Sequence, residues 1–311
     1  MHALIRRLLL VAAVLAVGSS LSGQTLRDST LDSKPSWLYY FNTTSVTFKD
    51  NPYSAAAGDN YLSVDPQQHV VAFFEKTTGT TTAPVTIESG STLQVSFDLY
   101  FTASLNTTGT GGLRFGLFDS NGAAKPTANN SFHPYDGYLV AWNPGNLNAV
   151  RFWKRNAPTN GSQQLMNSTG VYTQVGSDVD STYVFQTGTA YRASYSVTGG
   201  NDGGLTFAVT INEGSTLRFS NSVSVVSPST NVFDAFAMYA VSGGPSFGVD
   251  NLLINYTATA TSSSSSGVSA FDLGGPTAIP EPSTYAACAG AAVLGLAFWR
   301  RRRAAAHGGS S

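Results

Sequence analysis

Apolar and polar residues alternate one by one through most of the middle of this chain. In "AYRASYSVTGGNDGGLTFAVTINEG", Tyr191, Ala193, Tyr195 and Val197 interleave with Arg192, Ser194, Ser196 and Thr198. Beyond the glycines, Leu205, Phe207, Val209 and Ile211 interleave with Thr206, Ala208, Thr210 and Asn212. A period of two sends one set of side chains to a core and the other to water, so both segments are predicted strands. The intervening "GGNDGG" tolerates the positive φ that a hairpin connection requires. "TLQVSFDLYF" (92–101) and "GGLRFGLFDSNG" (111–122) are predicted as neighbouring strands, the second closed by an Asn-Gly turn. "DGYLVAWNPG" with "AVRFWKRN" forms a further pair, and "FDAFAMYAV" with "SFGVDNLLINY" ends the domain. Strands this closely spaced, with Gly, Asn, Ser and Thr between them, imply an all-β fold: a two-sheet antiparallel sandwich.

Both ends depart from this alternation. Residues 1–23 carry a basic start (His2, Arg6, Arg7), an apolar run from Leu8 to Val17 and the small-residue patch "GSSLSG". That is the layout of a secretory signal peptide, cut near Ser22 or Gly23. The body is then expected over residues 24–256, a length ordinary for one β sandwich. Residues 257–279, with "TATATSSSSSG", hold too few apolar groups to bury and are expected to be a flexible tether. At residues 284–299 the chain is apolar again, and Arg300, Arg301, Arg302 and Arg303 follow. Sixteen helical residues span about 24 Å against a hydrocarbon core of about 30 Å, a short transmembrane helix that needs snorkelling flanks. Four arginines stop translocation and hold residues 304–311 on the cytoplasmic side.

Charge changes the picture little. With the addressing segments set aside, the net charge of −1 becomes about −6 for the body. No clustered basic surface invites nucleic acid. The single cysteine, Cys288, lies in the C-terminal apolar run, so the body has no disulfide and depends on core burial.

Two resemblances follow. The segments "VSFDLYF", "GYLVAW…VRFWKRN", "YRASYSV…LTFAVTINEG" and "FGVDNLLINY", in that order over roughly residues 85–256, resemble the concanavalin A-like or laminin-G-like jelly roll. Residues 24–84 fit less well and are expected to hold edge strands. Pro280, Glu281 and Pro282, the short apolar run and the arginine cluster resemble the PEP-CTERM sorting signal. Pro280 and Pro282 keep Glu281 in extended chain ahead of the helix, a form that a processing enzyme can hold. The resemblance implies export through the inner membrane of a Gram-negative bacterium, a transient or stable membrane anchor, processing by an exosortase, and delivery to the cell surface or matrix.

The body offers little catalytic chemistry. "GPSFG" (244–248) matches a nucleophile elbow, but it leads into a strand, and the next histidine is His307, beyond the anchor. Ser246 is therefore expected in a turn. Glycoside hydrolysis needs paired carboxylates; the body has three glutamates, Glu75, Glu88 and Glu213, none near another, and Asp98 stands alone on its strand. Asp178 and Asp180 are expected in a loop, at most as a loose calcium site, and Asp250 and Asn251 are expected to end or bulge a strand. His69 and His133 lie far apart without a cysteine, the default being solvated loop residues and no cofactor. The Thr-rich "TTGTTTAP" lacks the repeat of a flat ice-binding array. Six Asn-x-Ser/Thr triplets, beginning at Asn42 and Asn106, reflect a wet polar face.

Aromatic residues point elsewhere. Tyr138, Trp142 and Trp153 sit with Arg151 in one strand pair, and such groups stack on sugar rings and satisfy hydroxyls or uronate carboxylates. Phe152 and Trp153 are adjacent, so they face opposite ways. The expectation is a non-catalytic exported surface or matrix protein that contacts polysaccharide. The rivals are a carbohydrate-active enzyme, hydrolase or lyase, and a purely structural envelope component.

Overall fold

The structure, a computed structural model, describes residues 23–259 except 34, 36–37, 42–46, 53–57, 75–83, 103–104, 106–111, 124–131, 133, 144–149, 157–163, 167–170 and 180–182. The expected signal peptide, most of the tether, the sorting signal, the anchor helix and the tail lie outside these residues. The chain divides into Met1–Ser262 and Ser263–Ser311, the second unit wholly outside them.

The described residues form strands and no α-helix, so no helix among them is long and apolar enough to cross a membrane. In chain order these are β1 (Gly23–Ser29), β2 (Leu38–Phe41), β3 (Thr47–Asp50), β4 (Asn60–Val64), β5 (His69–Phe73) and β6 (Val85–Thr86). Next come β7 (Thr92–Phe101), β8 (Leu113–Asp119), β9 (Asp136–Trp142), β10 (Val150–Arg155), β11 (Tyr172–Val179) and β12 (Ala190–Gly199). The last are β13 (Leu205–Glu213), β14 (Thr216–Val225), β15 (Val232–Phe233), β16 (Ala235–Ala240) and β17 (Phe247–Thr257). One sheet runs β14-β13-β12-β7-β17-β4-β3 with β1 also paired to β17, and the other runs β11-β10-β9-β8-β16-β5-β2. β6 and β15 form a small separate pair, and every strand–strand pairing among the described residues is antiparallel, so the two large sheets make an antiparallel sandwich.

The β12–β13 hairpin forms with Tyr195 opposite Val209 and Val197 opposite Phe207, as the alternation predicts. The β9–β10 pair forms as well. By contrast β7 and β8 are not neighbours. They belong to opposite sheets and meet face to face, with Phe97 and Phe115 rings 5.7 Å apart and perpendicular. Alternation says that two segments each have a core face; it does not say whether they share an edge or a face. The last two long strands, β16 and β17, are likewise in opposite sheets. Residues 24–84 supply the edge strands β2 and β3, but also β4 and β5, which are internal.

Two predicted irregularities are present. Asn121 and Gly122 both take positive φ (53° and 70°), closing β8 in the expected turn. Asn251 at φ 47° sits in the bulge between Asp250 and Leu253, where β17 turns from pairing with β4 to pairing with β1.

The main core lies between the sheets. Rings interlock across it, among them Phe115 with Tyr195 at 5.7 Å and Phe101 with Trp142 at 5.7 Å. A second apolar cluster covers the far face of the seven-stranded sheet, where Phe132, Tyr135, Leu165 and Met166 pack onto Val71, Phe118, Leu139 and Ala237. This sheet is therefore buried on both faces, which is why β5 and β16 are continuously buried rather than alternating. The far face of the eight-stranded sheet is different. Register aligns Thr257, Thr92, Thr198, Thr206 and Ser224 across five strands, and in a parallel row Ser96, Ser194, Thr210 and Ser220. Thr92 and Thr198 hydroxyls lie 2.9 Å apart. A hydroxyl array therefore exists, assembled by strand pairing rather than by a tandem repeat.

Candidate functional site

The far face of the seven-stranded sheet carries two of the four sequence-predicted contact residues. Arg151 opposes Ala141 on β9, Ala141 opposes Arg114 on β8, Arg114 opposes Tyr239 on β16, and Tyr239 opposes His69 on β5. Trp153 is two residues beyond Arg151 on the same strand and so shares its face. One row along, Trp153 opposes Leu139, which opposes Gly116. Strands lie about 4.8 Å apart, so Arg114 and Arg151 stand about 10 Å apart with only the methyl group of Ala141 between them. Gly116 lets β8 and β9 approach closely: a Cβ there would come within 2.3 Å of the Tyr138 carbonyl oxygen. Two arginines, a half-buried indole and the Tyr239–His69 pair therefore lie along neighbouring rows of one face.

Each member has a distinct environment. Arg151 is exposed and pairs with Asp178 at 2.8 Å. Arg114 is half-buried and donates through Nη1 to the Met166 carbonyl. No carboxylate among the described residues pairs with Arg114, and burial pushes its pKa down. His69 is fully buried and stacked on Tyr239, their rings 4.1 Å apart. Neither His69 nitrogen nor the Tyr239 hydroxyl has a hydrogen-bond partner among the described residues. Burial, with the nearby Arg114 charge, pushes the His69 pKa down to about 3, so the imidazole is neutral. His69 is thus a core strand residue, not the solvated loop histidine expected; His133 lies outside the described residues.

The loops over this face are held by Arg155, whose side chain is fully buried. Its guanidinium donates to the carbonyls of Phe132 (2.9 Å), Tyr135 (2.9 Å), Gln164 (3.0 Å) and Leu165 (2.7 Å). One planar fork therefore pins two separate segments onto the sheet.

Tyr138 and Trp142 are on the opposite face of β9, inside the main core, at 2 % and 3 % exposure. Tyr138 packs on Phe207 at 4.3 Å and accepts a hydrogen bond from Ser229 N at 2.9 Å. Trp142 packs on Phe185 at 4.4 Å. Neither can touch a glycan, a correction that follows from the parity of β9: residues 138, 140 and 142 alternate inward together. Asp178 lies in β11, not in a loop, and is taken up by Arg151 and by Gln174 at 2.5 Å. Asp180 lies outside the described residues. Among those residues no group of three or more His, Cys, Asp or Glu is placed to hold a metal ion. Ser246 follows a turn and leads directly into β17, as expected.

Strand pairing also joins two acids that are far apart in sequence. Asp250 on β17 opposes Asp98 on β7, so Asp98 is not alone. Asp98 pairs with Arg192 at 2.9 Å and accepts from Asn251 Nδ2 at 2.7 Å. Asp250 is fully buried and accepts from Asn51 Nδ2 at 2.9 Å and Asn251 N at 2.7 Å. Burial first, then the charges of Asp59 and Asp98, push the Asp250 carboxyl up to about 6.

Residues 278–303 match the PEP-CTERM protein-sorting motif. That stretch contains Pro280, Glu281, Pro282 and the four arginines, and it marks the chain for export and membrane-associated sorting of the Gram-negative type. No curated protein matches the chain significantly. Among solved structures, the body is similar to an alginate lyase of polysaccharide lyase type 14 from Aplysia kurodai (13 % identity, 74 % of this chain and 98 % of that one, TM-score 0.46). It is also similar to peanut lectin (8 %, 76 % and 99 %, 0.43) and to lectin II from Ulex europaeus (11 %, 72 % and 100 %, 0.39). Likenesses this distant assign no activity.

Proposed function

We propose that this is a non-catalytic surface or extracellular-matrix protein that binds polysaccharide through the far face of its seven-stranded sheet. An exosortase-type enzyme removes its membrane-anchored PEP-CTERM tail after export. The observation that carries the binding reading is the cluster itself: Trp153 and Arg151 share one face of β10, beside the small Ala141 and the half-buried Arg114. An indole edge beside guanidinium donors suits a sugar ring and its oxygens. Hydrolysis finds less support, because Asp250 of the paired acids is fully buried with both oxygens hydrogen-bonded.

The test is glycan binding by the exported protein and two single variants. Trp153→Ala weakens binding by roughly tenfold, the scale of one lost aromatic stack. Trp142→Ala leaves the affinity of whatever folds unchanged and lowers stability by about 3–5 kcal/mol. Equal effects of both variants on affinity, or silence across many polysaccharides, would leave a purely structural role.

A further inference from the structure

This cluster contains an imbalance that a neutral sugar does not correct. Arg114 is half-buried, donates to the Met166 backbone carbonyl, and faces no carboxylate among the described residues. A desolvated guanidinium without a counter-charge is unfavourable, and proteins ordinarily place an acid beside it. Here the other two cations nearby are already matched: Arg151 by Asp178, and Arg155 by four carbonyls. Next to Arg114 in the same row is a fully buried pair with three unpartnered polar atoms, His69 Nδ1, His69 Nε2 and the Tyr239 hydroxyl. Buried polar atoms without partners are rare enough that several in one place mark a site where a partner arrives.

Resting on the polysaccharide reading above, we propose that the ligand is an acidic glycan whose uronate carboxylate seats on Arg114, with the Tyr239–His69 pair behind it and Trp153 against the ring. The carboxylate replaces the Met166 carbonyl as the acceptor for Arg114. A planar two-oxygen anion fits the guanidinium fork in a way that a hydroxyl does not. Tyr239 then donates its hydroxyl, and the neutral imidazole of His69 offers one donor and one acceptor. Arg151 lies two strands away along the same row and is free to exchange Asp178 for a second acid group of the polymer. Between the two arginines in this row stands only the small side chain of Ala141.

The experiment uses the protein recovered after export, assayed against polygalacturonate and polymannuronate, neutral glucan and a sulfated glycan. The expected result is binding to the polyuronates, reduced roughly tenfold to a hundredfold by Arg114→Gln, the range for one charge-assisted contact. Arg114→Lys keeps the charge without the fork and retains part of the affinity. Tyr239→Phe is the safeguard against a variant that fails to fold. Deleting an unpartnered hydroxyl should raise the melting temperature of the free protein while weakening polyuronate binding; a purely structural tyrosine gives the first effect without the second. Binding to neutral glucan alone overturns the uronate assignment and leaves the polysaccharide reading standing. Preference for the sulfated glycan overturns the carboxylate in favour of sulfate. Binding to none of them removes both.

Discussion

Replacing Asp250 by Asn should make this protein more stable at neutral pH, and the effect should vanish in acid. Asp250 is fully buried, and its carboxyl titrates near 6 instead of 3.8 because burial and the charges of Asp59 and Asp98 oppose ionisation. Between those two values the folded protein holds a proton that the unfolded chain has released. Stability from this group is therefore complete below about pH 3.8 and is lost as pH rises through about 6. Two units correspond to about 3 kcal/mol. An amide has the shape of the protonated acid. The new oxygen keeps the Asn251 N–H, and the Asn51 side chain, now 2.9 Å away through its nitrogen, rotates to present its own oxygen. At pH 7.5 Asp250→Asn should raise stability by up to about 3 kcal/mol, or roughly 6–12 °C in melting temperature for a domain of this size. Urea titrations of parent and variant from pH 3 to 8 measure the difference directly, and subtraction cancels the groups that titrate alike in both. Asp32 and Glu213, whose pKa values hydrogen bonds lower, slope the opposite way and drop out in this manner. A variant no more stable than the parent at pH 7.5, or equally stabilised at pH 3.5, would refute the reasoning.

Two further outcomes follow from the geometry. Arg155→Met removes the donors that tie Phe132, Tyr135, Gln164 and Leu165 to the sheet and takes one hydrogen bond from each of their four carbonyls. It should lower unfolding free energy by at least about 3 kcal/mol in urea. Mass spectrometry of the protein released from the cell surface should find a carboxyl terminus before Ala286, and Glu281→Ala should leave the intact tail membrane-bound; a wild-type protein at the surface that still ends in Ser311 contradicts the processing step.

Much of the fold is legible because alternation is a local property. The β12–β13 hairpin, the β9–β10 pair, the Asn121–Gly122 turn and the irregularity at Asp250–Asn251 are each contained in one short continuous stretch of chain. The sorting tail is legible for the same reason, since proline, apolar length and charge act where they stand. Partnership between strands is not local. Residues 69, 114 and 239 share a row only because β5, β16 and β8 pair in that register, as Asp98 meets Asp250 only through β7 and β17. No spacing in one sequence announces these meetings. Which face is which was equally hidden at the site. Period two separates Phe152 from Trp153 and Tyr138 from Leu139, but a sheet buried on both sides lines both faces with apolar groups. Aromatic residues then mark the core and the outer face alike. Only packing against the second sheet sends Tyr138 and Trp142 inward and leaves Trp153 outside, because burial belongs to the whole assembly and not to the strand.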